Sequence, residues 1–221
     1  MQKYFSILYK ADQRIAKVSG KNKHFSSFQK AFGNLHYLND VFLSPGQEVF
    51  YKGDDFLYHI LLPIVGTLCY NDSNTKDNLL SVDRILFLTS EHENYAVKNP
   101  FENQTINYLH IGLEKTKPEL NGALTVPAAL KNYNSSVSLN LEMLEPDYYG
   151  ALAIYQGRTK GRYILKNASN SIVVYVINGA FEVEERLMEH RDGLALWDTP
   201  EIEFEAMSEF AILLILEIPL K

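Results

Sequence analysis

Short runs of valine, isoleucine, leucine, tyrosine and phenylalanine recur along this chain between clusters of turn residues, and long segments with a 3.6-residue hydrophobic period are scarce. That rhythm predicts an all-β protein built as barrels or sandwiches. Predicted strands cover residues 5–9, 35–43, 57–62, 85–89 and 108–113, and then 152–155, 162–165, 172–177, 194–197 and 210–218. Ser44-Pro45-Gly46, Asn71 to Asn74, Asn99-Pro100, Asn178-Gly179 and Asp192-Gly193 carry the turn chemistry between them. The acidic stretches Glu182 to Glu185 and Glu201 to Glu205 alternate with apolar residues at period two and read as solvent faces of strands.

The pattern occurs twice. Pro63 to Tyr70 and Val176 to Val183 each give an apolar strand, a glycine (Gly66, Gly179) and a second apolar strand, with the glycine where a tight hairpin needs positive φ. A duplicated barrel explains this economically, and two unrelated sandwiches remain the alternative. Residues 116–138 hold Pro118 and Pro127 and lack a strand period, so they read as a linker between a first barrel, 1–115, and a second, 139–221.

Composition narrows the function classes. A chain of 221 residues that is 46% hydrophobic and 22% charged buries a substantial core. A formal net charge of -6 without a basic run argues against a nucleic-acid surface. No stretch of about 20 apolar residues is present, and residues 1–13 alternate and soon become charged, unlike a secretory leader, so the expected location is cytoplasmic and off the membrane. The single cysteine, Cys69, fits a reducing compartment and reads as an inert strand residue.

Candidate chemistry concentrates in Gly46 to Gly66, which is punctuated like a cupin metal-binding strand: glycine, a His-x-His pair, a glutamate, then a second glycine. Here Lys52 and Asp54 stand at the histidine positions and Tyr58 at the acidic one. An ammonium has three donors and no lone pair for a metal. The six histidines show no zinc-type spacing, and His36 and His110, in predicted strands, read as hydrogen-bonded structural imidazoles. Nucleophile elbows, phosphate loops and dinucleotide fingerprints are absent from the sequence.

Over most of its length the chain resembles the pirin family, two-cupin proteins that include quercetinase-like dioxygenases. His24 to Phe28, Leu38 to Gly46, Gly66-Thr67, Asn99-Pro100 and above all Asp192-Gly193-Leu194-Ala195-Leu196-Trp197-Asp198 carry the resemblance. It implies two tandem jelly-roll cupin barrels packed together with few short helices, and a metal only in the N-terminal one. Carried over residue by residue, the metal positions fall on Lys52, Asp54, Tyr95 and Val97, with Tyr58 beside them, so the chain reads as a divergent member lacking the metal-binding histidines. Trp197 reads as a structural anchor.

If Lys52 and Asp54 lie on a strand they share one face about 6–7 Å apart, and they either line the barrel interior as part of a polar ligand pocket or form a solvated turn at its mouth. The resemblance then implies a bicupin that binds a small molecule or a protein partner without catalysis and without a cofactor. The alternative is a divergent metal-dependent quercetin 2,3-dioxygenase-like oxygenase holding a divalent transition metal such as iron, with a site rebuilt from Asp54, His59, His92 and Tyr95. The oligomeric state is open.

Overall fold

The structure, a computed structural model, describes residues 5–28, 30–73, 76–88, 94–116, 123–128, 130 and 132–220. Twenty-one strands and two short 3-10 turns, Ala11–Gln13 and Leu141–Met143, account for the regular elements among them. In chain order the strands are β1 (Phe5–Tyr9), β2 (Ile15–Ser19), β3 (Asn22–Ser26), β4 (Leu35–Leu43), β5 (Glu48–Tyr51), β6 (Leu57–Val65), β7 (Leu68–Asn71), β8 (Asn78–Leu80), β9 (Arg84–Leu88), β10 (Tyr95–Lys98), β11 (Ile106–Glu114) and β12 (Ala123–Pro127). They continue as β13 (Ser135–Ser138), β14 (Tyr149–Tyr155), β15 (Lys160–Ile164), β16 (Asn170–Asn178), β17 (Phe181–Val183), β18 (Arg186–Met188), β19 (Gly193–Trp197), β20 (Glu201–Ala206) and β21 (Ala211–Pro219). No helix among the described residues is long and apolar enough to cross a membrane.

The chain divides into two compact units, each an antiparallel jelly roll of two sheets. The first comprises Ile15–Lys30 and Leu35–Ala129, with a seven-stranded sheet ordered β12-β9-β6-β11-β4-β3-β2 and a four-stranded sheet ordered β5-β10-β7-β8. The second comprises Met1–Arg14, Ala31–Asn34 and Leu130–Lys221, with sheets ordered β1-β19-β16-β21-β14-β13 and β15-β20-β17-β18. The central strands β6, β11, β16 and β21 are apolar runs buried almost end to end, as strands covered on both faces must be. By contrast β20 alternates, with Ile202, Phe204 and Ala206 in the core and Glu203 outside, which is the solvent face that its period of two predicts.

The two glycines expected in tight hairpins instead turn corners between sheets, because β6 and β7, and likewise β16 and β17, lie in different sheets and do not pair. Gly66 (φ +79°) and Gly179 (φ +74°) take left-handed backbone, and a Cβ on Gly179 would sit 2.2 Å from the Ser208 hydroxyl. That hydroxyl accepts the Ala180 N–H at 3.0 Å, which closes the turn.

The domain boundaries differ from the sequence reading of 1–115, 116–138 and 139–221. β1 pairs with β19 in register Phe5↔Trp197 to Tyr9↔Gly193, so the first strand belongs to the C-terminal barrel. Two side-chain contacts fix it. The buried Asp192 carboxylate accepts the Lys10 ammonium and, at 2.8 Å, the Ala11 N–H, and Phe5 stacks on Trp197 at 5.6 Å between centroids. Phe32 packs on the other reach of the same indole at 5.7 Å, so Trp197 is the anchor expected of it. The expected linker holds two edge strands, β12 paired to β9 and β13 paired to β14. Both are short and half exposed, and so carry little hydrophobic signal.

Candidate functional site

The interior of the N-terminal barrel is assembled by register. Across neighbouring strands one row reads Tyr37, Gly112, His59, Leu88, and the next reads Asn39, His110, Leu61, Leu86. Side chains two apart on a strand share a face, so Tyr37, His59 and His110 all face inward with Leu61 and Leu86. Gly112 makes their meeting possible. A Cβ there would lie 2.3 Å from the Tyr37 ring, so the missing side chain is the space in which that ring lies. From that position the Tyr37 hydroxyl contacts His59 Nδ1 at 2.5 Å and His110 Nε2 at 2.9 Å.

The facing sheet completes the cluster. Tyr51 pairs with Tyr95 across β5 and β10, and their rings stack at 5.1 Å. The Tyr95 hydroxyl reaches His110 Nε2 at 2.8 Å, and the Tyr51 and Tyr108 hydroxyls share a hydrogen bond of 2.6 Å. Beyond this polar half the barrel is filled by an apolar cluster that includes Leu43, Leu61, Leu68, Leu80, Leu86, Val97 and Ile106.

Burial decides the charge state. His59 is 6% exposed and His110 4% exposed. Desolvation pulls His59 down to about 4, opposed in part by the nearby Asp54 carboxylate, and holds His110 well below the ordinary imidazole range. The phenols move the other way for the same reason. Burial raises Tyr37, Tyr95 and Tyr108, and lifts Tyr51 to about 12 against the hydrogen bond from Tyr108. At neutral pH the cluster therefore consists of neutral imidazoles and protonated phenols. Its other two ring nitrogens, His59 Nε2 and His110 Nδ1, are buried with no hydrogen-bond partner among the described residues.

The residues singled out in the sequence scatter around this centre. Lys52 is exposed, and it lies beyond the end of β5 at Tyr51, so Lys52 and Asp54 do not share a strand. Asp54 is half-buried in a turn, where its Oδ1 accepts the Phe56 N–H at 2.9 Å. Tyr58 is buried, but alternation along β6 turns it to the sheet face opposite His59. There the Lys115 ammonium lies 5.5 Å from its ring centroid. Val97 is part of the apolar cluster, while Tyr95 and His59 are members of the polar one. His92 and the neighbouring Glu93 lie outside the described residues. Of the two strand histidines read as structural, His36 is held by Glu114 at 2.9 Å, and His110 turns out to be the centre of the network. Tyr37, Tyr51 and Tyr108 carried no sequence motif. Gly112, a lone glycine inside a strand, was the signal that a ring crosses close by.

Comparison with known proteins agrees with this architecture. Residues 151–217 match the family model of the quercetinase C-terminal cupin domain. No curated protein matches the sequence. Among solved structures, the chain is similar to YhhW from Escherichia coli with a TM-score of 0.86 at 15% identity, covering 98% of this chain and 99% of that one. A structure described as the bacterial pirin YhhW in complex with nickel(II), also from Escherichia coli, gives 0.86 and 15% over 98% and 100% of the two chains. A quercetin 2,3-dioxygenase from Acinetobacter baumannii gives a TM-score of 0.74 at 16% identity, over 98% of this chain and 80% of that one. The C-terminal barrel thus carries a match to the quercetinase C-terminal cupin domain, and the chain along its length has the fold of the bacterial pirin YhhW.

Proposed function

We propose that the N-terminal barrel binds a small, uncharged ring compound and does so without a metal. The observation that carries this reading is the neutral His59-Tyr37-His110-Tyr95 network, which lines the polar half of the barrel and leaves two imidazole nitrogens unpartnered among the described residues. Buried polar atoms without partners are costly, and a ligand that supplies those partners gains what the empty site lacks. The flat faces of Tyr37, Tyr51 and Tyr95 suit a ring, and the two half-buried members, Tyr37 and Tyr51, mark where the network meets solvent. A charged ligand would lose its hydration against neutral side chains. The cytoplasm is the proposed location.

The nickel named with YhhW raises the question of a metal here. Of the positions that the family resemblance assigns to the metal site, Lys52 is exposed, Val97 has no donor atom and Tyr58 faces away from the barrel interior, which leaves oxygen donors only at Asp54 and Tyr95, too few to hold a metal by themselves. The competing reading is a divergent oxygenase, favoured by the three neutral donors His59, His110 and Tyr95 in one cluster. Equilibrium dialysis with quercetin as the probe, with and without a chelator and with oxygen uptake recorded, separates the two. Chelator-insensitive binding without oxygen uptake, weakened by His59→Ala, is the expected result. One retained metal per chain, with oxygen uptake that His59→Ala abolishes, overturns the proposal.

A further inference from the structure

The Tyr37 hydroxyl touches Nδ1 of one histidine and Nε2 of the other. It has one hydrogen to give and an oxygen that accepts, and each neutral imidazole carries a single N–H. If Tyr37 donates to His59 Nδ1, the His59 hydrogen is on Nε2, and His110 must donate its Nε2–H to the Tyr37 oxygen, leaving His110 Nδ1 bare. If Tyr37 donates to His110 Nε2, His59 donates from Nδ1, its Nε2 is bare, and the His110 hydrogen is on Nδ1. A mixed pair sets two lone pairs or two hydrogens against each other across 2.5 or 2.9 Å. Tyr95, at 2.8 Å from the same His110 Nε2, shares that nitrogen's one hydrogen with Tyr37 in the first state and its one lone pair in the second, accepting in the one and donating in the other.

We propose that Tyr37 locks His59 and His110 into the same tautomer, so that their two free nitrogens always form one N–H donor and one bare acceptor, and the site selects molecules that offer one acceptor and one donor in return. The proposal rests on the binding role assigned above to this network. It makes Tyr37 the residue that sets hydrogen-bond polarity: the two states have the same net charge, and passing from the first to the second moves the His110 Nε2 hydrogen to Tyr37 and the Tyr37 hydrogen to His59 Nδ1, while solvent or ligand takes the hydrogen from His59 Nε2 and returns one to His110 Nδ1. The unpartnered state of those two atoms is then what the site offers a ligand. A molecule with acceptors alone leaves one bare imidazole nitrogen facing a lone pair. Sites that hydrogen-bond a ligand group reject analogues lacking it far more strongly than apolar pockets reject a missing methylene.

The test uses the whole protein without ligand. Nitrogen-15 imidazole spectra report which ring nitrogen carries hydrogen, assigned through His59→Gln and His110→Gln. The expected result is the same tautomer, or the same fast average, at both residues in the wild type, and loss of that match in Tyr37→Phe. Opposite tautomers in the wild type overturn the proposal, and so does a Tyr37→Phe spectrum in which both residues keep their wild-type shifts. The wild-type spectrum is decisive even if the variant does not fold. For selectivity, flavone, which carries a carbonyl but no hydroxyl, is compared with quercetin. Binding weaker by about tenfold or more supports the polarity rule, and equal binding overturns it. Absence of any matched tautomer sinks this inference while leaving quercetin binding intact, whereas absence of quercetin binding bears on the functional reading and leaves the spectra to stand.

Discussion

Replacing Gly112 with alanine adds one methyl group at the point where the barrel interior has least room. The new Cβ would lie 2.3 Å from Cε1 and 2.5 Å from Cζ of Tyr37, well inside contact distance, so the ring must move. Overpacking of this kind costs about 1–3 kcal/mol. A displaced ring also withdraws the hydroxyl from His59 Nδ1 and His110 Nε2, and a buried polar group left unpaired costs about 1–3 kcal/mol, although Tyr95 still covers His110 Nε2. Together these give an expected destabilisation of about 2–4 kcal/mol. The assay is denaturant unfolding of wild type, Gly112→Ala, Tyr37→Ala and the double variant. If the clash is with Tyr37, Gly112→Ala should cost almost nothing in the Tyr37→Ala background, since alanine otherwise suits a strand at least as well as glycine. A Gly112→Ala protein as stable as wild type, or one that loses the same amount in both backgrounds, would refute the reasoning.

Other perturbations follow from the same geometry. Because burial depresses His59 to about 4, the unfolded chain takes up a proton near the ordinary imidazole pKa of about 6.5 while the native one does not. Stability should therefore fall as pH drops from about 6.5 towards 4, and a shallower slope is expected for His59→Gln in unfolding curves taken across that window. Lys52→Met should leave stability within about 0.5 kcal/mol, and an amine reagent should modify Lys52 in the folded protein, as mass spectrometry of the labelled peptide would reveal. Asp192→Ala removes the acceptor of Lys10, Ala11 N–H and Glu189 N–H. Hydrogen exchange at residues 5–9 should rise sharply, while exchange in β11 stays at the wild-type rate.

Much of the architecture was legible because the central strands are long and apolar enough to announce themselves. Residues 35–43, 57–62 and 172–177 fall within β4, β6 and β16. The short outer strands β5, β10 and β17 have three or four residues each and one apolar face, too little for a periodic signal. The site was harder to read for a different reason. Tyr37 and His110 are 73 residues apart, and what joins them is the pairing of β4 with β11, a non-local property that no window of sequence contains. Aligning motifs pointed to Lys52 and Tyr58, whose place in the chain is right for a metal ligand. Local backbone decided otherwise, because β5 ends before Lys52 and alternation turns Tyr58 outward.

The first strand has a consequence for how the molecule comes into being. Lys10 and Asp192 are separated by 182 residues, so at about 5–20 residues per second the ribosome needs about 10–40 s between making β1 and making the strand it pairs with. During that interval the backbone of β1 has no β19 to pair with and Phe5 no Trp197 to stack on, and the N-terminal barrel, complete by β12, can close around its own core without them. β1 is thus made long before its partner strand and is placed only after β19. Loss of β1 would strip an edge from the six-stranded sheet of the C-terminal barrel and leave β19 as an edge strand open to pairing with β1 of another chain.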